Sequence, residues 1–472
     1  MTKSKIILLT RYLVLKLTLL IRKVFFLKPK KKHLIKKLIF ERKVFDNRLI
    51  TNANIQLLRK YYPNDFEIGY LLAVNYLQNG NTKFVSLLDK SWEIRRKILK
   101  EKNFLKYDQG NLPKEIITGS LGNHISLLNW LEAKRLKLHN YKNTELILNK
   151  KDKVSNPELF KYFKNKIKIV YDHNLNGRER KIKTLTTIPV NYAIPIKKTF
   201  TQVHIATNII NNNKKNDKSY LKLSQKHKKV GNSYLKKIGL NKNDWFVTLH
   251  VREGSTKNDV NSESFRNGNI KDYYKAIKFI IAKGGYVFRM GDNSLSKLPR
   301  MKGVIDYANS EHRSQALDIF LGAKSKFCIA TSSGYYIIPY LFGIPVLMTN
   351  SISSLEYWLL REKDFFLPKK IFDKSKNKTL NLLESLNPPY SIFNTDVNYF
   401  LKYLNIKILV NTSEEIYDSV KEVFEDIFYK KKTNNKINYN FKNLMSKKYL
   451  NFSNEKLYPL AKIPKKFLKK HI

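Results

Sequence analysis

The sequence predicts an α/β protein with two successive βα halves behind a helical preface. Three observations predict it. From 245 to 350, short apolar runs alternate with longer stretches of helical spacing. Earlier, from 114 to 149, the order is strand, glycine turn, helix, strand, and such a unit implies a parallel sheet. Between them lies NNNKKNDK (211–218), a polar stretch that reads as a linker.

The elements follow in order. Residues 1–32 are apolar but carry Lys5, Arg11, Lys16, Arg22 and Lys23. At ~100° per residue these cations share one arc of a helical wheel. That pattern suits a basic amphipathic helix, lying on an anionic bilayer or docked on a core, with a marginal span of 6–27 as a lesser alternative. No uninterrupted apolar stretch there reaches the ~20 residues of a span, and there is no small-residue cleavage site of a signal peptide. Residues 33–110 read as helical, with Asn, Gly and Pro breaks.

The first βα half occupies 111–215. KEIIT (114–118) reads as a short strand, GSLGNH (119–124) as a turn and ISLLNWLEAKRL as an amphipathic helix; TELILN (144–149) and KIKIVYD (166–172) read as strands. The second half occupies 216–435. It has predicted strands at 245–251, 286–292, 304–308, 326–334 and 344–350, with helices between, and a further helix at 413–429. A Lys-rich tail, 436–472, closes the chain.

The chain has 472 residues, 42% apolar and 12% aromatic, which is globular and long enough for sizeable cores. The net charge of +52 invites nucleic acid, an anionic membrane or an anionic substrate. The lysines are dispersed instead of gathered in one arm, and the chain lacks recognisable RNA-binding motifs, which weighs against nucleic acid. The single cysteine, Cys328, excludes a disulfide framework and a cysteine-based zinc site. It fits a reducing, cytoplasmic compartment.

Polar groups recur at the predicted strand ends, where crevice ligands of α/β sheets bind. FVTLHVREG ends in His250, Arg252 and Glu253. The 286–292 strand ends in Arg289, Gly291 and Asp292, and 304–308 carries Asp306 and Tyr307. The 326–334 strand ends in Thr331, Ser332, Ser333 and Gly334 before a helix, a hydroxyl-rich turn whose free N–H groups suit phosphate. Arg252 and Arg289 add planar forks for bidentate phosphate contact. Asp318 could hold a nucleotide base or ribose, while Glu253 and Asp292 are candidate general bases. In the first half, Gly119, Gly122, Asn123 and His124 form a turn that lets a ligand approach the backbone. Each of these has a plainer reading: a helix cap, a surface ion pair or a tight turn.

LHVREG, FRNGNIKDYYKAI, GGYVFRMGD, VIDYANSEHRSQALDIFLGAKSKF and TSSG occur in that order over about 230–350. This set resembles a bacterial glycosyltransferase family related to the fucosyltransferase-like group. GSLGNHISLLNWLEAKRL resembles the glycine loop and first helix of that family's amino-terminal half. The resemblance implies a GT-B fold, with two Rossmann-like domains facing a cleft. It implies a nucleotide-diphosphate sugar donor, a glycan or lipid-linked acceptor, no cofactor, no metal and inversion at the sugar. Arg252 would neutralise the donor diphosphate, and Ser332, Ser333 and Gly334 would hold its phosphates. Characterised fucosyltransferases continue with a second basic residue and an Asp, where this chain has Glu253 and Gly254.

The expected function is therefore a glycosyltransferase of surface polysaccharide or glycolipid synthesis, peripheral at the inner face of the cell membrane. The competing readings are a nucleic-acid-binding protein and a non-catalytic glycan-binding scaffold of the same fold.

Overall fold

In a computed structural model, the described residues run from 58 to 472, apart from 67, 70–71, 74–83, 109, 189–192, 197–198, 213–218, 242, 255–264, 353, 387–389, 391–403, 430–435 and 447–458. The basic helix expected in 1–32 and most of the linker at 211–218 lie outside them. The chain divides into two compact units, Met1–Leu105 with Pro388–Ile406, and Lys106–Asn387 with Lys407–Ile472.

The described part of the first unit is helical, as the spacing predicts. Its longest helix is α1 (Phe84–Glu101), which buries Leu88, Trp92 and Leu99 on one stripe. Phe66 meets Trp92 edge-on at 5.5 Å, and the buried Arg95 guanidinium lies 4.5 Å over the same ring.

The second unit holds both βα halves. The first sheet is three parallel strands, β1 (Asn111–Leu112), β2 (Glu145–Leu148) and β3 (Lys168–Tyr171), in that spatial order. The strand expected at 114–118 is not there. Pro113 cannot donate to a ladder, so the strand stops before it. Glu115–Thr118 then form a helical turn, α2, whose Thr118 hydroxyl donates to Lys114 O (3.0 Å). Its Ile117 carbonyl accepts from the N–H and hydroxyl of Ser155 at 2.8 and 3.0 Å. Helix α3 (His124–Arg135) follows the glycine turn and buries Ile125, Leu127, Leu128 and Trp130. After β2 comes α4 (Pro157–Phe160), capped by Asn156 and started by a proline at its first turn. After β3 comes α5 (Gly177–Thr186), opened by a capping box of Asn176 and Glu179. An antiparallel hairpin, β4 (Ala193–Ile196) and β5 (Thr199–Gln202), leads into α6 (Val203–Asn212), which packs against α3.

Helix α7 (Gln225–Lys237), capped by Ser224, opens the second half. Its sheet contains β6 (Phe246–His250), β7 (Tyr286–Arg289), β8 (Val304–Ile305), β9 (Cys328–Ala330), β10 (Val346–Ser351) and β11 (Phe365–Pro368). All neighbouring pairs are parallel, in the spatial order β11-β10-β9-β6-β7-β8. Strands β9, β10 and β11 are buried along their whole length, as continuous apolar runs covered on both faces should be. The helices are α8 (Tyr274–Ala282), α9 (Gln315–Lys324), α10 (Ile337–Leu341), α11 (Ser354–Leu359) and α12 (Ser413–Phe428). Helix α8 packs on α12, and α9 packs on α7. The five predicted strands are present, each within its expected span or one residue beyond it. Strand β11 was not expected, because FFLP is too short a run to distinguish from a loop.

The Lys-rich end is not simply a solvated tail. Helices α13 (Lys436–Ser446) and α14 (Lys465–His471) bury Phe441, Phe467 and Leu468. Ala461 and Ile463 are also buried, and Lys462 bridges to β11 through Phe366 N–H to Lys462 O (2.8 Å). The apolar positions are spaced among lysines whose charge masked them.

Candidate functional site

The strand order marks a point where α/β sheets commonly bind a ligand. From β6 the chain moves outward through β7 to β8, then returns to the other side of β6 with β9 and continues to β10 and β11. The order reverses between β6 and β9. In open α/β sheets, connections that part on two sides of such a reversal form a crevice outside the carboxyl ends of the strands, here those of β6 and β9. His250 and Arg252 stand at the end of β6, and Thr331 and Ser332 at the end of β9. The buried Thr331 stitches the two ends: its N–H donates to His250 O (3.0 Å), and its hydroxyl accepts from Arg252 N–H (2.9 Å).

A short segment, Phe265–Gly268, lies over these ends. Gly268 N–H donates to Arg252 O (2.8 Å), and Asn267 Oδ1 accepts from Arg252 Nη1 (2.7 Å). Arg266 Nε donates to Ser332 O (2.8 Å). Lys369, just beyond β11 and only 4% exposed, donates from Nζ to Phe265 O and Asn267 O, both 2.7 Å. Gly268 is closely packed: a Cβ would lie 3.3 Å from the side chains of Val251 and Asn350 and 3.4 Å from that of Thr331. Arg252, Arg266 and Lys369 thus gather at the reversal point. Among the described residues a carboxylate lies with them, Glu356, half-buried on α11 and accepting from the hydroxyls of Ser332 and Ser351. Burial raises the Glu356 pKa, against those hydrogen bonds and the fields of Arg266 and Lys369. Burial also brings the Lys369 ammonium down to about 8.

Arg266, Asn267, Glu356 and Lys369 were not among the predicted site residues. The FRNGN motif contained the first two, but Lys369 is one lysine among many and only burial distinguishes it.

The second predicted arginine has different surroundings. Arg289, at the end of β7, is 0% exposed. Its Nη2 is 3.1 Å from Glu253 Oε2, and its Nη1 is 3.3 Å from Asp306 Oδ1 and donates to Ser296 O. Two carboxylates enclose this guanidinium, so it is not presented to a phosphate. Glu253, expected as a base, is committed to Arg289 and accepts from Ser296 N–H (3.0 Å) and Oγ (2.8 Å). Asp306, expected to bind substrate, also accepts from Leu298 N–H (3.0 Å) and Asn309 Nδ2 (2.9 Å). Tyr307 is fully buried and bonds Ser314 through both N–H (2.9 Å) and carbonyl (3.1 Å). Asp292 caps its own turn, accepting from Ser294 N–H (2.9 Å) and Oγ (2.5 Å). Gly291 makes that turn at φ 143°, with Leu295 filling the place of a side chain.

His250 sits between the two charge groups. Its ring stacks on Tyr335 at 5.6 Å, and burial, reinforced by Arg289 and Arg252, brings it down to about 4, so it is neutral at pH 7. Asp318 is raised to about 6 by burial, beside Tyr307. That contact ties it to the β8 side of the sheet.

The hydroxyls of the TSSG turn are also engaged. Ser332 Oγ donates to Glu356, and Ser333 Oγ accepts from Tyr335 N–H (3.3 Å) as an ordinary cap. These two hydroxyls serve the turn before they serve any ligand. The two glycine turns predicted in separate halves do meet. A Cβ on Gly334 would stand 2.9 Å from Gly122 N, and one on Gly122 would stand 3.5 Å from Gly334 Cα. Gly119 is closed in by Glu115 O and Asn123, whose Nδ2 donates to Glu115 O (3.1 Å). His124 opens α3, fully buried, with Nδ1 3.1 Å from Leu121 O; burial lowers it to about 4.

Among the described residues, no group of three or more His, Cys, Asp or Glu is arranged to hold a metal ion. No described helix is long and apolar enough to cross a membrane.

No protein-family model matches the sequence, and no curated protein does. Solved structures give distant similarities. The glycosyl transferase family 9 protein of Veillonella parvula is 11% identical over 50% of this chain and 79% of that one, with a TM-score of 0.33. The E. coli ADP-heptose LPS heptosyltransferase II is 10% identical over 52% and 85%, with a TM-score of 0.35. An E. coli heptosyltransferase solved with ADP is 11% identical over 55% and 90%, with a TM-score of 0.27. Similarity at this level fixes neither the fold family nor the activity of this chain.

Proposed function

We propose that this protein is a glycosyltransferase of GT-B type, moving a sugar from a nucleotide-diphosphate donor to a glycan acceptor. The observation that carries the reading is the reversal of strand order between β6 and β9, with Arg252 and Arg266 at that point. An α/β sheet binds its ligand there, and two guanidiniums beside a buried ammonium suit a diphosphate. In the reaction an acceptor hydroxyl attacks the anomeric carbon and gives up its proton to solvent, and the bond from that carbon to the diphosphate oxygen breaks. The nucleoside diphosphate leaves with the bond electrons. Arg252 and Arg266 would stabilise the charge that develops on it, a fixed electrostatic contribution that needs no metal. The acceptor would enter from the side of the 119–124 turn, which touches the TSSG turn. Inversion at the sugar, kinship with the fucosyltransferase-like group and work at the inner membrane face extend the same reading.

One observation favours a second reading, a scaffold that binds the nucleotide sugar without turning it over. Glu253, the carboxylate nearest the crevice in sequence, is locked on Arg289. A thermal-shift screen against GDP, UDP, CDP and ADP and their sugars, without added metal, tests both. A melting-temperature rise with one nucleotide, lost in Arg252→Ala, supports a donor site. Release of free nucleotide from that sugar donor in the presence of glycan acceptors separates enzyme from scaffold. No shift with any nucleotide, together with salt-steep binding to nucleic acid, overturns both.

A further inference from the structure

We infer that Lys369 is a positioning residue for the anion site: it latches the segment 265–268 onto the strand ends and so sets Arg266 and Arg252 for a diphosphate. This rests on the donor-site reading above. An ammonium is costly to bury without partners, and Lys369 is 4% exposed. Its partners are two main-chain carbonyls, Phe265 O and Asn267 O, which flank Arg266 on either side. Its own backbone is fixed, since Lys369 N–H donates to Ser351 O (2.7 Å) at the end of β10. The latched segment then makes three further contacts. Arg266 Nε reaches Ser332 O, Asn267 Oδ1 receives Arg252 Nη1, and Gly268 N–H reaches Arg252 O. One buried cation therefore reaches two arginines through backbone carbonyls. A lysine has three rotatable donors and no acceptor, which suits it to carbonyls on both sides of one residue. Glu356 lies close enough to oppose the charge and offset part of the burial cost.

The test uses the full chain and whichever nucleoside diphosphate the screen selects, beside the matching nucleoside without phosphate. Lys369→Met is expected to weaken diphosphate binding by roughly tenfold or more, the loss of about one charge-assisted contact, and to leave nucleoside binding within about twofold. Arg266→Ala should show the same split. Because Lys369 acts through Arg266, the double variant should bind no worse than about the weaker single one. Independent, multiplying losses would overturn the inference, as would equal weakening of nucleoside and diphosphate. Where Lys369→Met folds poorly, Lys369→Arg keeps the cation but changes its reach. Hydrogen exchange at the Gly268 amide then decides. Faster exchange there, with the sheet amides unchanged, supports the latch; unchanged exchange at Gly268 overturns it. If the wild-type chain binds no nucleotide, the donor-site reading fails, and the exchange experiment still judges the latch on its own.

Discussion

Arg252 and Arg289 end neighbouring parallel strands and have the same side chain, yet their surroundings are opposite. Arg289 is enclosed by Glu253 and Asp306, with no exposed surface. Arg252 is half-buried and braced by Asn267, with Arg266 on the same short segment and Lys369, from beyond β11, holding that segment. The difference follows from topology. Strand β7 lies one step away from the reversal of strand order, where its end is covered by the 292–298 turn and by Asp306. Strand β6 lies at the reversal, where connections diverge. A charged residue at a strand end is thus a site candidate only when the neighbouring connections part around it. The closed set is committed to the fold, and the proposed donor site places the ligand at the other set.

The sharpest way to break this contrast is to remove each arginine in turn. Arg289→Met leaves Glu253 and Asp306 facing each other with no buried cation. The expected loss is about 3–5 kcal/mol of stability, as for other broken buried pairs, read as a fall in the urea midpoint. Arg252→Ala should cost no more than about 1 kcal/mol and instead abolish stabilisation by nucleotide. If Arg289→Met proves as stable as wild type, or Arg252→Ala unfolds the chain, the assignment of roles is reversed.

A titration between the two sets sharpens the comparison. His250 is half-buried beside both arginines, and desolvation together with their fields lowers its pKa to about 4 from an ordinary 6.5. The unfolded chain therefore binds more protons than the folded one between these values. Stability is fully present above about 6.5 and is lost as pH falls toward 4. The expected contribution is on the order of 1–3 kcal/mol, and it should vanish in His250→Gln. His124, also lowered to about 4, adds a parallel loss away from both arginines. An acid limb of the stability curve unchanged in His250→Gln would remove the histidine from the account.

The glycine turns offer a smaller effect. Gly334→Ala puts a methyl 2.9 Å from the backbone nitrogen of Gly122, which cannot swing away. Gly122→Ala meets Gly334 Cα only at 3.5 Å, an ordinary contact. About 1–3 kcal/mol of destabilisation is expected for the first and under about 1 for the second. Equal costs at both positions would mean that the close approach of the turns is not what the glycines serve.

These cases show what was legible in the sequence. Strand–helix alternation and the parallel order came through, because buried parallel strands read as continuous apolar runs. The strand expected at 114–118 failed because Pro113 overrode the β-branched pair Ile116 and Ile117, and the end of the chain was misread because lysines hid its apolar spacing. At the site, residue type alone nominated Arg252 and Arg289 equally. Their separation depends on spatial strand order, which no local pattern records. Lys369 was invisible for the same reason: its partners are Phe265 and Asn267, about a hundred positions away.

The smallest effect tests the balance within the open set itself. Among the described residues Glu356 is a carboxylate beside the three cations, and its charge opposes an incoming anion. Glu356→Gln keeps an oxygen to accept from Ser332 but removes the negative charge. Nucleotide diphosphate binding should tighten by a few-fold, the size expected of one screened like-charge interaction. The measurement belongs near pH 6.5, below the Lys369 value of about 8, because losing Glu356 also removes support for the Lys369 ammonium. Raising the pH through 8 should then erase the gain sooner in the variant than in wild type. Weaker binding at pH 6.5 would instead make Glu356 a strut that holds Ser332 and Ser351, and the open set would owe its charge to Arg252 and Arg266 alone.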